Sequence, residues 1–329
     1  MKKTISVFLA ISFILSLYAY SVSKAGIDSI RSALTLCASS LIPALFVSFV
    51  LSSYLVESGL GKYAGHLLQR LPLYRFGIPQ SCAAAALLGF VCGFPVVAVY
   101  SNSLYEKNLC TKQQAQRTAL LCSLPSFSFT VGYVGNVLFD SIATGIALYV
   151  IEIIASLTVG ALLYSDKKEE MKVDTDRKIS LLKPIVPSVV QSAQKCLTVC
   201  AFVCLFYTVA AFVSDIVKMP AVSMTAAIFL ELSAACEKCA SISGDFGVVI
   251  SAVSLGFSGL CVACQICACM PFIEFGKYLL VKLCTAATAG VYAFLIFKTS
   301  VYISLPTVLI IFTASLILPR YFSPLPLKN

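Results

Sequence analysis

Histidine is all but missing from this 329-residue chain, which holds only His66. That residue precedes two leucines in a stretch of mixed apolar and basic character. A Ser-His-Asp constellation or an H-E-x-x-H zinc helix is therefore excluded within the chain. The phosphate-cradling run G-x-x-x-x-G-K-[ST] does not occur either, which argues against ATP-driven transport by this chain alone. GLGKYAG, at 59–65, has its last glycine one position too late for a dinucleotide loop, and no strand precedes it. Charge is scarce as well: 12% of residues are Asp, Glu, Lys or Arg, against about 25% in soluble domains. No enzyme is expected from these residues.

What is abundant is apolar surface. Hydrophobic residues make up 59% of the chain, the mean hydropathy is +0.93, and windows of about 18 apolar residues recur, each enough to cross a ~30 Å hydrocarbon core. The expected fold class is all-α, a polytopic membrane protein. Candidate segments lie at 4–23, 31–55, 78–100, 119–140, 141–164, 187–213, 219–238, 246–270, 274–298 and 300–319. The formal charge of +9 resides in Lys and Arg between these runs, where it sets orientation, so no nucleic-acid partner is expected. The fifteen cysteines fall mostly inside apolar runs and read as reduced packing residues. Cys261, Cys264, Cys267 and Cys269 in CVACQICAC spread over more than one helix face without a histidine, so no metal is expected there.

Charge distribution sets the topology. The connection SDKKEEMKVDTDRKISLLK, at 165–183, carries six basic residues and belongs in the cytoplasm by the positive-inside tendency, as do Lys2 and Lys3. Five simple crossings before it would leave it outside. One segment must therefore enter and return, and 78–100 has breakers at its centre in Cys92-Gly93-Phe94-Pro95; making 119–140 re-entrant satisfies the same parity. The same logic makes 219–238 a hairpin or broken helix entering from the other side, with Glu231 near its turn.

The domain organisation expected is an N-terminal transmembrane helix within 1–30, a first inverted repeat over 31–164, a charged cytoplasmic loop over 165–186, a second inverted repeat over 187–298, and a C-terminal helix and tail over 299–329. Ser21 and Ser23 leave open a cleaved leader, although Ile5 to Tyr20 is long for its apolar core. Residues 58–76 read as an amphipathic surface segment and 104–118 as a short cytoplasmic helix. Lys195 and Lys282, inside spans near the cytoplasmic ends, are expected to snorkel.

Irregular backbone at membrane depth is tolerated where it is buried in protein or lines a cavity, so the breakers mark a site. Glu231, in FLELSAACE, is a carboxylate in an apolar run and needs a cavity or a partner. Glu152 is the other intramembrane acid, either paired with Lys195 or Lys282, serving a proton path, or acting as helix glue. Glu237, beside Lys238, is expected at the rim. Pro125 frees a backbone carbonyl, and Ser123, Ser126 and Ser128 offer hydroxyls nearby. SGLCVACQ offers Ser258, Gly259 and Gln265, with close helix packing as the alternative role.

Several of these stretches resemble the nucleoside-recognition (Gate) domain membrane proteins, in particular the YlbJ-like sporulation integral membrane protein branch, over roughly 30–300. SLIPALFVSFVLSSYLVESGLGKYAGHLLQRL resembles the proline-containing span and amphipathic connection of that family. Gly93, Phe94, Pro95 and Ala98 are similar to its first turn, Pro125 and Phe127 to its second, and Glu231, Gly259, Leu260, Val262 and Gln265 to its later signatures. Val97, Val99, Ser123, Ala235 and Ala263 depart from the pattern and remove polar or basic groups that would suit an anionic substrate. The resemblance implies a fold related to concentrative nucleoside carriers, a role in spore formation, and movement of dipicolinic acid across a forespore membrane.

The resulting expectation is a multi-pass transporter or permease for a small polar organic solute, with dipicolinic acid as the named candidate. The alternative is a non-transporting scaffold or assembly partner in a spore-formation complex. The expected site comprises Gly93, Pro95, Ser123, Ser126, Glu231, Ser258, Gly259 and Gln265, with no catalytic residue, no metal and no cofactor beyond a coupling proton or cation held by Glu231. Expected partners are the solute, the lipid bilayer, and a second copy or other sporulation membrane proteins. The expected location is integral and multi-pass, in the bacterial cell or forespore membrane.

Overall fold

A computed structural model describes residues 2–60, 73–76, 78–164, 180–298 and 301–317. Most of the amphipathic connection at 58–76, the charged loop at 165–186 and the C-terminal tail lie outside the described residues. Those described are helical with short links, and no strand occurs among them. The chain is an all-α integral membrane protein. In order, the helices are α1 (Lys2–Ser21), α2 (Lys24–Leu36), α3 (Ile42–Ser58), α4 (Ala83–Cys92), α5 (Phe94–Glu106), α6 (Lys112–Cys122), α7 (Ile142–Tyr164), α8 (Ile185–Val217), α9 (Pro220–Leu230), α10 (Leu232–Ala240), α11 (Asp245–Phe257), α12 (Gly259–Cys269), α13 (Phe275–Lys298) and α14 (Val301–Ile317). Two π-helical stretches, Cys37–Leu41 and Ser128–Leu138, join α2 to α3 and precede α7.

Among the described residues, four helical stretches are long and apolar enough to cross a membrane: Ile142–Tyr164, Ile185–Val217, Asp245–Cys269 taken across its break, and Phe275–Lys298. A bent pair from Lys24 to Ser58 makes a fifth. Large apolar side chains such as Leu162, Leu197, Leu205, Phe294 and Leu309 remain exposed on this bundle, as a lipid-facing surface requires. Some hydroxyls inside it are satisfied locally: Thr118, Ser192 and Thr208 each donate to the carbonyl four residues earlier, the usual solution for Ser and Thr in an apolar helix.

Contacts between loops define two ends. At one end Lys107 pairs with Glu57 at 2.7 Å, the Tyr54 hydroxyl donates to the Leu181 carbonyl, and Tyr105 packs on Phe272. These contacts gather the end of α3, the α5–α6 link, the start of α8 and the α12–α13 link, along with Lys112, Lys183 and Lys277. At the other end Tyr20 donates to Asp215 at 2.6 Å and Lys298 approaches Asp245.

The structure interrupts four segments. α4 and α5 meet at Gly93 and pack on each other, as do α9 and α10 on either side of Glu231. Residues 123–126 form an irregular link after α6, so 119–140 is not one continuous span. The expected span at 246–270 is also broken: Ser258 and Gly259 have φ of 68° and 76° between α11 and α12. Glycine in an apolar run is easily read as a packing position, which concealed this break. The expected short helix at 104–118 is corrected too. Residues up to Glu106 belong to α5, and α6 begins at Lys112 behind a capping box between Thr111 and Gln114, then runs inward to Cys122.

Candidate functional site

The breaks come together in two pairs. Gly93 takes φ of 99°, and a Cβ there would lie 3.0 Å from the Ser126 nitrogen, so the first break abuts the 123–126 link. Gly259 takes φ of 76°, and a Cβ there would lie 3.2 Å from the Leu230 carbonyl oxygen, so the α11–α12 break abuts the turn at Glu231. Only glycine adopts such backbone at little cost while allowing so close an approach.

Side chains from other helices satisfy the backbone groups that the breaks free. The Tyr149 hydroxyl donates to the Phe90 carbonyl near the end of α4. Ser156 donates to the Leu121 carbonyl and the Lys282 ammonium to the Ser123 carbonyl, both at the end of α6. The Ser126 hydroxyl accepts from the Phe129 N–H at 3.2 Å and so caps the π-helical stretch. Glu231 Oε2 accepts from the Ala234 N–H at 2.8 Å and caps α10. In a medium without water these bonds make three of the four interruptions tolerable.

Between the pairs lies a cavity of about 260 Å³. Gly93, Pro95, Ser126, Glu231 and Gln265 line it, so five of the expected site residues come together from four different elements. Its remaining wall is mainly apolar, with Val199 and Val203 of α8 and Val262 of α12 among its members. Such a wall with a few convergent polar groups is the common form of a small-molecule site. Glu231 is 3% exposed, and Gln265 donates to the Cys261 sulfur at 3.2 Å.

Three expected residues do not line the cavity. Ser123 is fully buried, its hydroxyl turned back to Ala119 and its carbonyl held by Lys282. The Ser258 hydroxyl donates to Leu255, and Gly259 serves the close approach to Leu230. These three shape the breaks rather than face the cavity. Lys282 is a correction: at 1% exposure it does not snorkel but turns inward to the freed carbonyl. Lys195, by contrast, stays half-exposed.

Ser40, Gly132, Tyr133 and Ser233 also line the cavity and were not singled out from sequence. Ser40 and Tyr133 lie in the two π-helical stretches, where the 3.6-residue period no longer tells which face a residue takes. Tyr133 donates to Glu237 Oε1 at 2.7 Å and Tyr207 to Oε2 at 2.9 Å. Glu237 is thus half-buried between two tyrosines instead of standing free at a rim. Glu152 is fully buried, and neither carboxylate oxygen has a hydrogen-bond partner among the described residues. Lys282 is the charged group that acts on it electrostatically. Among the described residues, no group of three or more His, Cys, Asp or Glu could hold a metal.

These features define a polytopic helical membrane protein whose interrupted helices surround an internal cavity. The chain is similar to the sporulation integral membrane protein YlbJ of Bacillus subtilis (strain 168), 26% identical over 178 residues. That match covers 53% of this chain and 44% of the relative, so it spans less than half of that protein's length. No family profile matches it, and no solved structure matches it.

Proposed function

We propose that this protein is a permease for a small polar organic solute in sporulating cells, with dipicolinic acid as the candidate to test first. The observation that carries this reading is the meeting of two pairs of helix breaks, one from each half of the chain, around one cavity. Secondary transporters build midplane sites in this way, from discontinuous helices in inverted repeats. The packing of α4 on α5 and of α9 on α10 supports reading 31–164 and 187–298 as such repeats. The relation to a sporulation membrane protein supports the cellular setting.

In this reading Gly93 and Pro95 shape the first turn, Ser126 and Gln265 offer polar contacts to the solute, and Glu231 holds a coupling proton or cation beside it. The protein has no catalytic role, and it works as a homo-oligomer or beside other sporulation membrane proteins. The test is uptake of labelled dipicolinate and of a nucleoside panel into vesicles bearing the purified protein, wild type beside Glu231→Gln. The amide oxygen of Gln can still accept from the Ala234 N–H, so the α10 cap survives this change. Saturable uptake of one solute, lost in the variant, supports the carrier. No uptake of any solute by folded protein moves the reading to the scaffold.

A further inference from the structure

A second cavity, of about 330 Å³, lies between α5, α8 and α12 and is more polar than the first. Asn102, Gln191, Gln194, Lys195 and Thr198 contribute to its wall, together with Val99, Glu106 and Cys269. The same three helices line the central cavity, and the residues used are one turn apart. Pro95 faces the central cavity and Val99 the second; Val199 the central and Lys195 the second; Gln265 the central and Cys269 the second. Four residues of helix advance about 6 Å, so the two cavities are stacked along a common axis.

Between them is a thin apolar layer. Val96, Val99, Cys196, Val199 and Cys261 belong to one buried cluster. The second cavity faces the end of the molecule that carries Lys107, Lys183 and Lys277, since α5 and α12 finish there and α8 begins there. By the positive-inside tendency that end is cytoplasmic.

The charges in this cavity are ordered along its depth. Glu106 lies seven residues beyond Val99, near the mouth, and its carboxylate accepts from the Asn102 amide at 2.9 Å. Lys195 lies deeper, one turn from Val199 and just before Thr198, and no hydrogen bond or ion pair to it occurs among the described residues. Glu106 and Glu57 lie within its electrostatic range, but neither is bonded to it, so its ammonium beside a group of amides is suited to a solute carboxylate.

We propose that the second cavity is the cytoplasmic vestibule of the central pocket, an outer station for a carboxylate-bearing solute anchored by Lys195, with Val99 and Val199 as the gate between the two. The solute role rests on reading the central pocket as a transport site. The vestibule itself can be tested without any solute, because each cavity contains a native cysteine: Cys269 in the outer one and Cys92 in the inner one.

The experiment treats the full-length protein, in inside-out vesicles, with an anionic (ethylsulfonate) or a cationic (ethyltrimethylammonium) methanethiosulfonate, and follows each cysteine by peptide mass spectrometry. Cys269 reacts faster with the anionic reagent, by about tenfold, the low end of what a focused field gives. That preference disappears in Lys195→Gln and persists in Lys195→Arg, which separates lost charge from lost fold. Cys92 stays unmodified until Val99→Ala and Val199→Ala are combined. Equal rates for the two reagents at Cys269, no reaction at Cys269, or modification of Cys92 as fast as Cys269 each overturns the proposal. If labelling follows charge as stated but no solute is taken up, the permease reading fails while the gated vestibule stands; uptake with charge-blind labelling has the opposite meaning.

Discussion

The ammonium of Lys282, on α13, donates to the backbone carbonyl of Ser123, where α6 stops. A proline two residues later ends the helix and leaves carbonyls without N–H partners, and lysine has the reach and the charge to take one of them. Glu152 is the buried acid within its electrostatic range. Removing one member of a buried charge pair leaves the other uncompensated, whereas removing both is far better tolerated. Lys282→Met is expected to destabilise the purified protein by about 3 kcal/mol, and Lys282→Met with Glu152→Gln to recover much of that loss. Thermal unfolding in detergent measures the cycle. Strict additivity would mean that the two groups do not sense each other.

Gly93 and Gly132 both line the central cavity and should respond in opposite ways. Alanine at 93 would have to adopt φ near 99° with its Cβ against Ser126, a strain of about 1–3 kcal/mol. Gly132 has no atom within 4 Å of the position a Cβ would take. Gly132→Leu should therefore leave the melting temperature close to wild type and abolish uptake by filling the cavity, whereas Gly93→Ala lowers both. A parallel loss of stability in the two variants would contradict this account.

Ser126 has two roles, as cap of the π-helical stretch and as a hydroxyl of the cavity wall. Ser126→Ala is expected to cost about 1 kcal/mol of stability and to weaken solute binding. Ser126→Asn, which keeps a side-chain acceptor for the Phe129 N–H, should restore stability more fully than transport. Unfolding and uptake measured on the same preparations separate the two roles.

Glu237 accepts one hydroxyl from each side, Tyr133 from the cavity wall and Tyr207 from α8. Hydrogen bonds to a charged group contribute about 1.5–3 kcal/mol each. Tyr133→Phe and Tyr207→Phe should each lower stability by somewhat less than that, because the remaining tyrosine still serves the carboxylate, and the double variant by more than their sum. Denaturation of all three against wild type tests the clamp.

How much of this was legible in the sequence depended on whether the signal was local. The apolar runs were unmistakable, and Gly93 beside Pro95 marked a break by its own chemistry. Glu231 marked another although no glycine or proline stands next to it, because a carboxylate in lipid demands an explanation. The break at Ser258 was hidden, since the positive φ of a serine leaves no trace in composition. The role of Lys282 was hidden for a different reason: whether a lysine snorkels or turns inward depends on a carbonyl far away in sequence. Tyr149 and Ser156 were overlooked, yet with Glu152 they follow i, i+3, i+7 spacing along α7, a polar face inside an otherwise apolar span that periodicity alone could have revealed.

The partner that Lys282 finds lies 159 positions earlier in the chain, and those of Tyr149 and Ser156 also precede them. Synthesis and insertion run in the other direction. When α4, α5 and α6 are first made, the groups that complete their ends have yet to follow: α7 brings Tyr149 and Ser156, and only the second half brings Lys282. A chain truncated before α13 would lack the lysine that closes the Ser123 end, and the order of assembly is thereby written into where the helices are broken.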